Sequence, residues 1–259
     1  MSGFLIGCHS KLQRAQENIQ NLRSEISAFF SQEPKPYRIV REFRNEGRRY
    51  AFVAFSDCPV PPRFAVLAGE IVHHLRSSLD HLLCALVIKN GGSPTRRHQF
   101  PIYTSKKQFD DACARGILDG ITDSAKTIIR SVQPYVAATP DDTVLHVVQQ
   151  YNNIDKHQLL IVVSAIARIG NNIRIDAGDK NVAITGLGDP APRKITDDGA
   201  VVFTIDLADP APNFFAEADF VPQIAFDKCG RVKLGEVIRI LTGLHQGTAR
   251  TIDLFAKEF

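Results

Sequence analysis

The chain has no Cys-x-x-Cys pair, almost no excess of either charge, and no apolar run near the ~20 residues a membrane span requires. The five cysteines (Cys8, Cys58, Cys84, Cys113, Cys229) are odd in number and scattered, which suggests neither a disulfide framework nor a thiolate zinc site and points to a reducing compartment. MSGFLIGCHSKLQ offers only four apolar residues ahead of His9 and Lys11, too few for a secretory core, so the cytoplasm is the expected location and no membrane is expected as a partner. No Gly-x-Ser-x-Gly elbow occurs. GLGDP at 186–190 lacks the rest of a dinucleotide fingerprint, so no cofactor is expected.

What is present is a chain of 259 residues, 44% hydrophobic, long enough to bury a large core unaided. Its net charge of +3 conceals an uneven distribution. Lys35 to Tyr50 holds six basic residues against two acidic, whereas Asp176 to Phe226 holds eight Asp and Glu217 against Lys180, Arg193 and Lys194.

Leu12, Ala15, Ile19, Leu22, Ile26 and Phe29 recur at helical spacing and predict a first helix stopped by Pro34 and Pro36. YRIVREFRNEGRRYAFVAF alternates about Asn45-Glu46-Gly47, as expected of a hairpin over 37–55. Leu67, Ile71, Leu75, Leu79, Leu82 and Leu86 place a long helix over 64–88, closed by Asn90-Gly91-Gly92. Shorter helices are expected near 105–115 and 122–133, and another from Pro140 to His157 behind the Thr139 cap. The β-branched runs of 159–227 predict an antiparallel sheet of four or five strands, and Leu234 to Phe255 a final helix. The expected fold is therefore α+β: a helical bundle core with an N-terminal β-hairpin and a C-terminal antiparallel sheet plus final helix. Two regions are expected, 1–158 and 159–259, with the last helix packing back on the body, as one domain or two.

Two polar segments stand out, RSSLDH at 76–81 and NNIDKH at 152–157. On the 64–88 helix, Glu70, His74, Ser77 and His81 share one flank, and Arg76, Asp80 and His73 the other. Asp155 falls near the centre of its helix's apolar stripe, where an unpaired carboxylate is costly, and Arg76 is its expected buried partner. Glu70 with His73 and His74 has the spacing of one half of a carboxylate-bridged metal site. A second Glu-x-x-His is missing, so no metal is expected. In the hairpin, Arg41, Arg44, Arg48, Arg49 and Tyr50 mix guanidinium and aromatic groups in a way suited to RNA.

Arg76-x4-His81 resembles the arginine–histidine signature of the HEPN superfamily, which includes metal-independent ribonucleases of toxin and defence systems. The resemblance implies that His81 activates a ribose 2′-hydroxyl and Arg76 steadies the phosphate, with Asp80, Asn153 and His157 in support. Asn153-x3-His157 is similar to the second half of that signature, with Asn152 where arginine is wanted, and Arg239-x5-His245 also fits the spacing. LRSSLDHLL, FPIY, QPY and NNIDKH together resemble segments of a bacterial protein family that carries no assigned activity, implying 64–160 as the common body. The expected function is a HEPN-like metal-independent ribonuclease or RNA-binding protein. The alternative is a non-catalytic interaction or assembly protein in which the same residues form a buried structural network. RNA and a second copy of the chain are the candidate partners.

Overall fold

The computed structural model describes residues 3–160, 162–176, 182–189, 193–229 and 232–259; Asp179, Lys180, Pro190 and the Cys229 side chain lie outside what is described. Among the described residues are α1 (Ile6–Ser31), β1 (Tyr37–Arg44), β2 (Arg49–Ser56), α2 (Pro62–Lys89), α3 (Lys106–Ala114), α4 (Asp123–Ser131) and α5 (Val144–Asp155). They are followed by β3 (Val162–Asp176), β4 (Ile184–Leu187), β5 (Arg193–Lys194), β6 (Ala200–Leu207), β7 (Phe215–Cys229), β8 (Val232–Glu236) and α6 (Val237–Asp253). The fold is α+β, with the expected helical core, hairpin, antiparallel strands and final helix.

The two apolar stripes read from sequence are the faces along which α1 and α2 pack. Every stripe residue of α2 from Leu67 to Leu86 is buried, and α5 and α6 complete the bundle around it. Ile224 and Phe226 of β7 close this core, Phe226 lying edge-on to Tyr151 of α5 at 5.2 Å.

Three expectations are corrected. Pro140–Asp142 forms a single 3-10 turn, and α5 begins after Thr143, whose extended backbone and hydroxyl, accepting from the His146 N–H at 3.4 Å, make it the cap. Leu234 belongs to β8, because pairing with β7 (Asp227↔Leu234, Ala225↔Glu236) holds the backbone extended as far as Glu236. The C-terminal strands also do not make one sheet. They divide between a sheet of order β1-β2-β6-β4 and another of order β5-β3-β7-β8.

The hairpin is therefore no appendage: β2 pairs with β6 from Arg49↔Asp206 to Ala54↔Ala200. Tyr50, Phe52 and Ala54 form a second core with Ile195, Phe203, Ile205 and Phe214. Its turn carries three successive residues at positive φ, Asn45 (50°), Glu46 (56°) and Gly47 (84°); Gly47 lies under Pro210.

Candidate functional site

RSSLDH and NNIDKH do face one another, but not as expected. Arg76 is 8% exposed, and its guanidinium holds three partners at once. Nε donates to Gln149 Oε1 of α5 (2.8 Å), Nη2 donates to the Phe100 carbonyl (2.9 Å), and Nη1 lies 2.7 Å from Asp80 Oδ1. Asp80 Oδ1 also accepts the Phe100 N–H at 2.8 Å, so one ion pair clamps both polar groups of a single loop residue. Gln133 continues the clamp, donating to the Pro101 carbonyl (2.8 Å) and accepting the Tyr103 N–H (3.1 Å). Burial lowers the Arg76 pKa while Asp80 opposes the shift; the guanidinium stays charged.

The expected Arg76–Asp155 pair does not form. The two helices run past each other in opposite senses: Gln149 sits opposite Arg76, and Asp155, six residues further along α5, sits opposite Gly69, seven residues back along α2. Asp80, one turn beyond Arg76 on the same helix, is the partner instead. Asp155 is half-buried rather than enclosed.

Nor are Arg76 and His81 brought together. Five residues apart, they point ~140° from each other round α2. His81 is exposed, its imidazole filling the space over Gly7 of α1. Asn153 joins the Arg76 network at one remove, accepting from Gln149 Nε2 at 3.3 Å, while His157 is exposed just beyond α5. His245 is engaged with the Leu12 carbonyl at 3.1 Å.

The proton-transfer groups collect elsewhere. A cleft of about 490 Å³ between α1, α2 and the end of α5 is lined by Arg14, Val66, Glu70, His73, His74, Asp155 and Leu159. Glu70, His73 and His74 lie at i, i+3 and i+4 on α2, one above another on the helix surface. Glu70 is fixed by Asn18 of α1, 2% exposed, whose Nδ2 donates to Oε2 at 3.0 Å. Gly69 admits Asp155: the carboxylate occupies the place a Cβ there would take.

Electrostatics separate these groups. Burial is the main reason the His74 pKa is lowered, with Lys11, His73 and Arg14 adding repulsion and Glu70 opposing, and its Nδ1 is buried without a hydrogen-bond partner among the described residues. Burial likewise raises the Asp155 pKa, His73 opposing and Glu70 reinforcing, and no ion pair within 4.0 Å relieves it among the described residues. Nowhere among the described residues do three or more His, Cys, Asp and Glu side chains gather as a metal site needs.

The hairpin arginines are mostly engaged within the chain. Arg44 pairs with Glu42 (2.5 Å), Arg49 with Asp206 (2.5 Å), and Arg41 with Glu217 (3.7 Å) while lying over the Phe215 ring. Arg48 alone of the four has no ion pair among the described residues. Tyr50 cannot stack on a base: it is 4% exposed, packed between Phe43, Phe52 and Phe214, with its hydroxyl donating to the Ala216 carbonyl of β7 at 3.5 Å.

Sequence reasoning missed Arg14, Asn18, Gly69, Gln133 and Gln149. Asn18, beside Ile19 on the apolar stripe of α1, and Gly69, a glycine inside a strongly helical run, were the available signals. No helix is long and apolar enough to cross a membrane among the described residues. No protein-family model, curated protein or solved structure matches the chain.

Proposed function

We propose that the cleft between α1, α2 and the end of α5 is an acid–base site for metal-independent RNA cleavage, braced by the Arg76–Asp80 clamp. The observation that carries this reading is the opposite displacement of two proton-transfer groups across one cleft, the arrangement that assigns a base and an acid. His74, held neutral, takes the proton of a 2′-hydroxyl. The 2′-oxygen attacks phosphorus, the bond to the 5′-oxygen breaks, and Asp155, which burial makes readier to hold a proton than a free carboxyl, is the group that gives that oxygen a proton. Arg14 in the cleft wall, with Lys11 close enough to act on His74, supplies positive charge for the phosphate. RNA is the proposed substrate because a 2′-hydroxyl beside a phosphodiester needs only a base, an acid and positive charge, which the cleft groups together; the HEPN resemblance of Arg76-x4-His81 does not bear on the cleft, since those two side chains diverge and neither lines it.

Incubation of the purified protein with mixed RNA in chelator tests this. Cleavage is expected in wild type and in His81→Ala, and is expected to vanish in His74→Gln and Asp155→Asn without a matching fall in thermal midpoint. Absence of cleavage by the wild type overturns the proposal, and loss in His81→Ala with retention in His74→Gln returns the chemistry to the arginine–histidine pair. The second reading, a non-catalytic interaction protein, is favoured by one observation, the buried three-way engagement of Arg76. It requires RNA to survive intact under all these conditions.

A further inference from the structure

Beside Gln99, next in the chain to the Phe100 that the Arg76 clamp holds, lies a cavity of about 730 Å³ that shares no residue with the cleft and whose wall includes Arg96, Arg97, Tyr103, Arg115 and Asp119. We infer that it binds a phosphomonoester group attached to a planar ring. Three guanidinium groups line it against one carboxylate, Asp119, leaving an excess of two positive charges. None of the three arginines has an ion pair among the described residues, a state shared by Arg23, Arg48, Arg130, Arg239 and Arg250, but here three such groups stand round one cavity. A phosphomonoester carries about −1.5 to −2 at neutral pH and presents three acceptor oxygens, matching that surplus where a backbone diester, with a single charge, does not.

The frame is built before any ligand arrives. Asp80 and Arg76 hold the N–H and C=O of Phe100, next to Gln99, and Gln133 holds the N–H of Tyr103. Upstream, the Thr95 N–H donates to His98 Nδ1 (2.8 Å) and the Arg97 N–H to Thr95 Oγ1 (3.3 Å). Less loop ordering is then lost on binding. Tyr103, half-buried in the wall and set edge-on to Phe109, is the aromatic group present for a planar ring to pack on, and Gln99 supplies an amide that can both donate and accept. The volume falls within the ~300–1,000 Å³ usual for small-ligand sites. The phosphomonoester could be the 5′ end of an RNA strand or a free phosphorylated molecule. The inference rests on the RNA reading only for the first source.

The test compares two probe pairs by equilibrium binding to the full chain: a 5′-phosphorylated against a 5′-hydroxyl RNA hexamer, 2′-O-methylated to prevent cleavage, and adenosine monophosphate against adenosine. In at least one pair the phosphorylated member should bind at least tenfold more tightly, and that pair identifies the source. Arg97→Gln and Arg115→Gln, both at exposed positions, should each remove most of that advantage. Arg48→Gln, on the hairpin, should change it less than twofold. The inference is overturned if phosphorylation gains nothing in either pair, if Arg48→Gln costs as much as Arg97→Gln, or if inorganic phosphate binds as tightly as the phosphorylated probe. Because neither probe pair can be cleaved by the proposed route, failure here and failure of the chelator experiment are separate results.

Discussion

Replacing Gly69 by alanine tests the helix packing that builds the cleft. At an ordinary helix-interior position the change gains about 0.5–1 kcal/mol, because glycine loses more backbone freedom on folding. At Gly69 the new methyl meets the Asp155 carboxylate, whose Oδ1, Cγ and Oδ2 all lie closer to an ideal Cβ than real contacts allow. Overpacking of this kind costs about 1–3 kcal/mol. Asp155 is only half-buried and can turn aside, which favours the lower part of that range. Gly69→Ala should therefore destabilise the wild-type chain by about 1 kcal/mol. In an Asp155→Ala background nothing opposes the methyl, and the same substitution should stabilise by about 0.5–1 kcal/mol. The double-mutant cycle should thus close with a coupling of about 1.5–2 kcal/mol, read from urea midpoints at constant slope. Equal effects of Gly69→Ala in the two backgrounds would refute the packing of Asp155 against α2.

Asp80→Ala should cost about 2–3 kcal/mol, somewhat under the range for breaking a buried pair since the Asp80 side chain is 32% exposed; Asp80→Asn, which still accepts from Phe100, should cost about half as much. A depressed His74 pKa means that the unfolded chain takes up a proton near pH 6.5 that the fold refuses, so stability should fall as pH drops below 6.5, and His74→Gln should flatten that slope in denaturation series. Asp155 works in the opposite sense. Its raised pKa contributes stability below pH 3.8 that is lost as pH rises through the folded value, so Asp155→Asn should be no less stable than wild type at pH 7. Serine at Arg41, Arg44 and Arg48 should leave the salt slope of RNA binding nearly unchanged, since two of the three already face carboxylates; a slope reduced by more than one would restore the hairpin as an RNA surface.

The elements were legible wherever one face of a helix or strand had to be apolar, as in the α1 and α2 stripes, whose residues read from spacing are all buried except the half-buried Ile26. Boundaries failed where a local signal met a competing partner. Thr139-Pro140-Asp141-Asp142 looks like a helix start, but Thr143 takes the cap, and Leu234 keeps helical spacing with α6 yet is held in a ladder by β7. For the site, spacing placed Glu70 and His74 on one flank of α2 and Arg76 and Asp80 on another, but it set His73 with the second pair although that histidine lines the cleft beside the first. It could not supply the crossing sense of α2 and α5, which decides that Gln149 rather than Asp155 reaches Arg76. A buried arginine and a reactive one look alike in sequence; they differ in whether the nearest carbonyl, here that of Phe100, has already claimed the fork.

The pairing of β2 with β6 also sets a timetable for synthesis. Arg49 and Asp206 lie 157 positions apart, so a ribosome adding about 5–20 residues per second exposes one partner roughly 8–30 s before the other exists. Throughout that interval β2 presents an unpaired edge carrying Tyr50, Phe52 and Ala54. The charged side chains of Arg49 and, across the hairpin, Arg38, Arg41 and Arg44 are then the groups that discourage two nascent chains from joining along it. The arginines that look from sequence like an RNA surface thereby acquire a second use, as guards of a strand waiting for its neighbour.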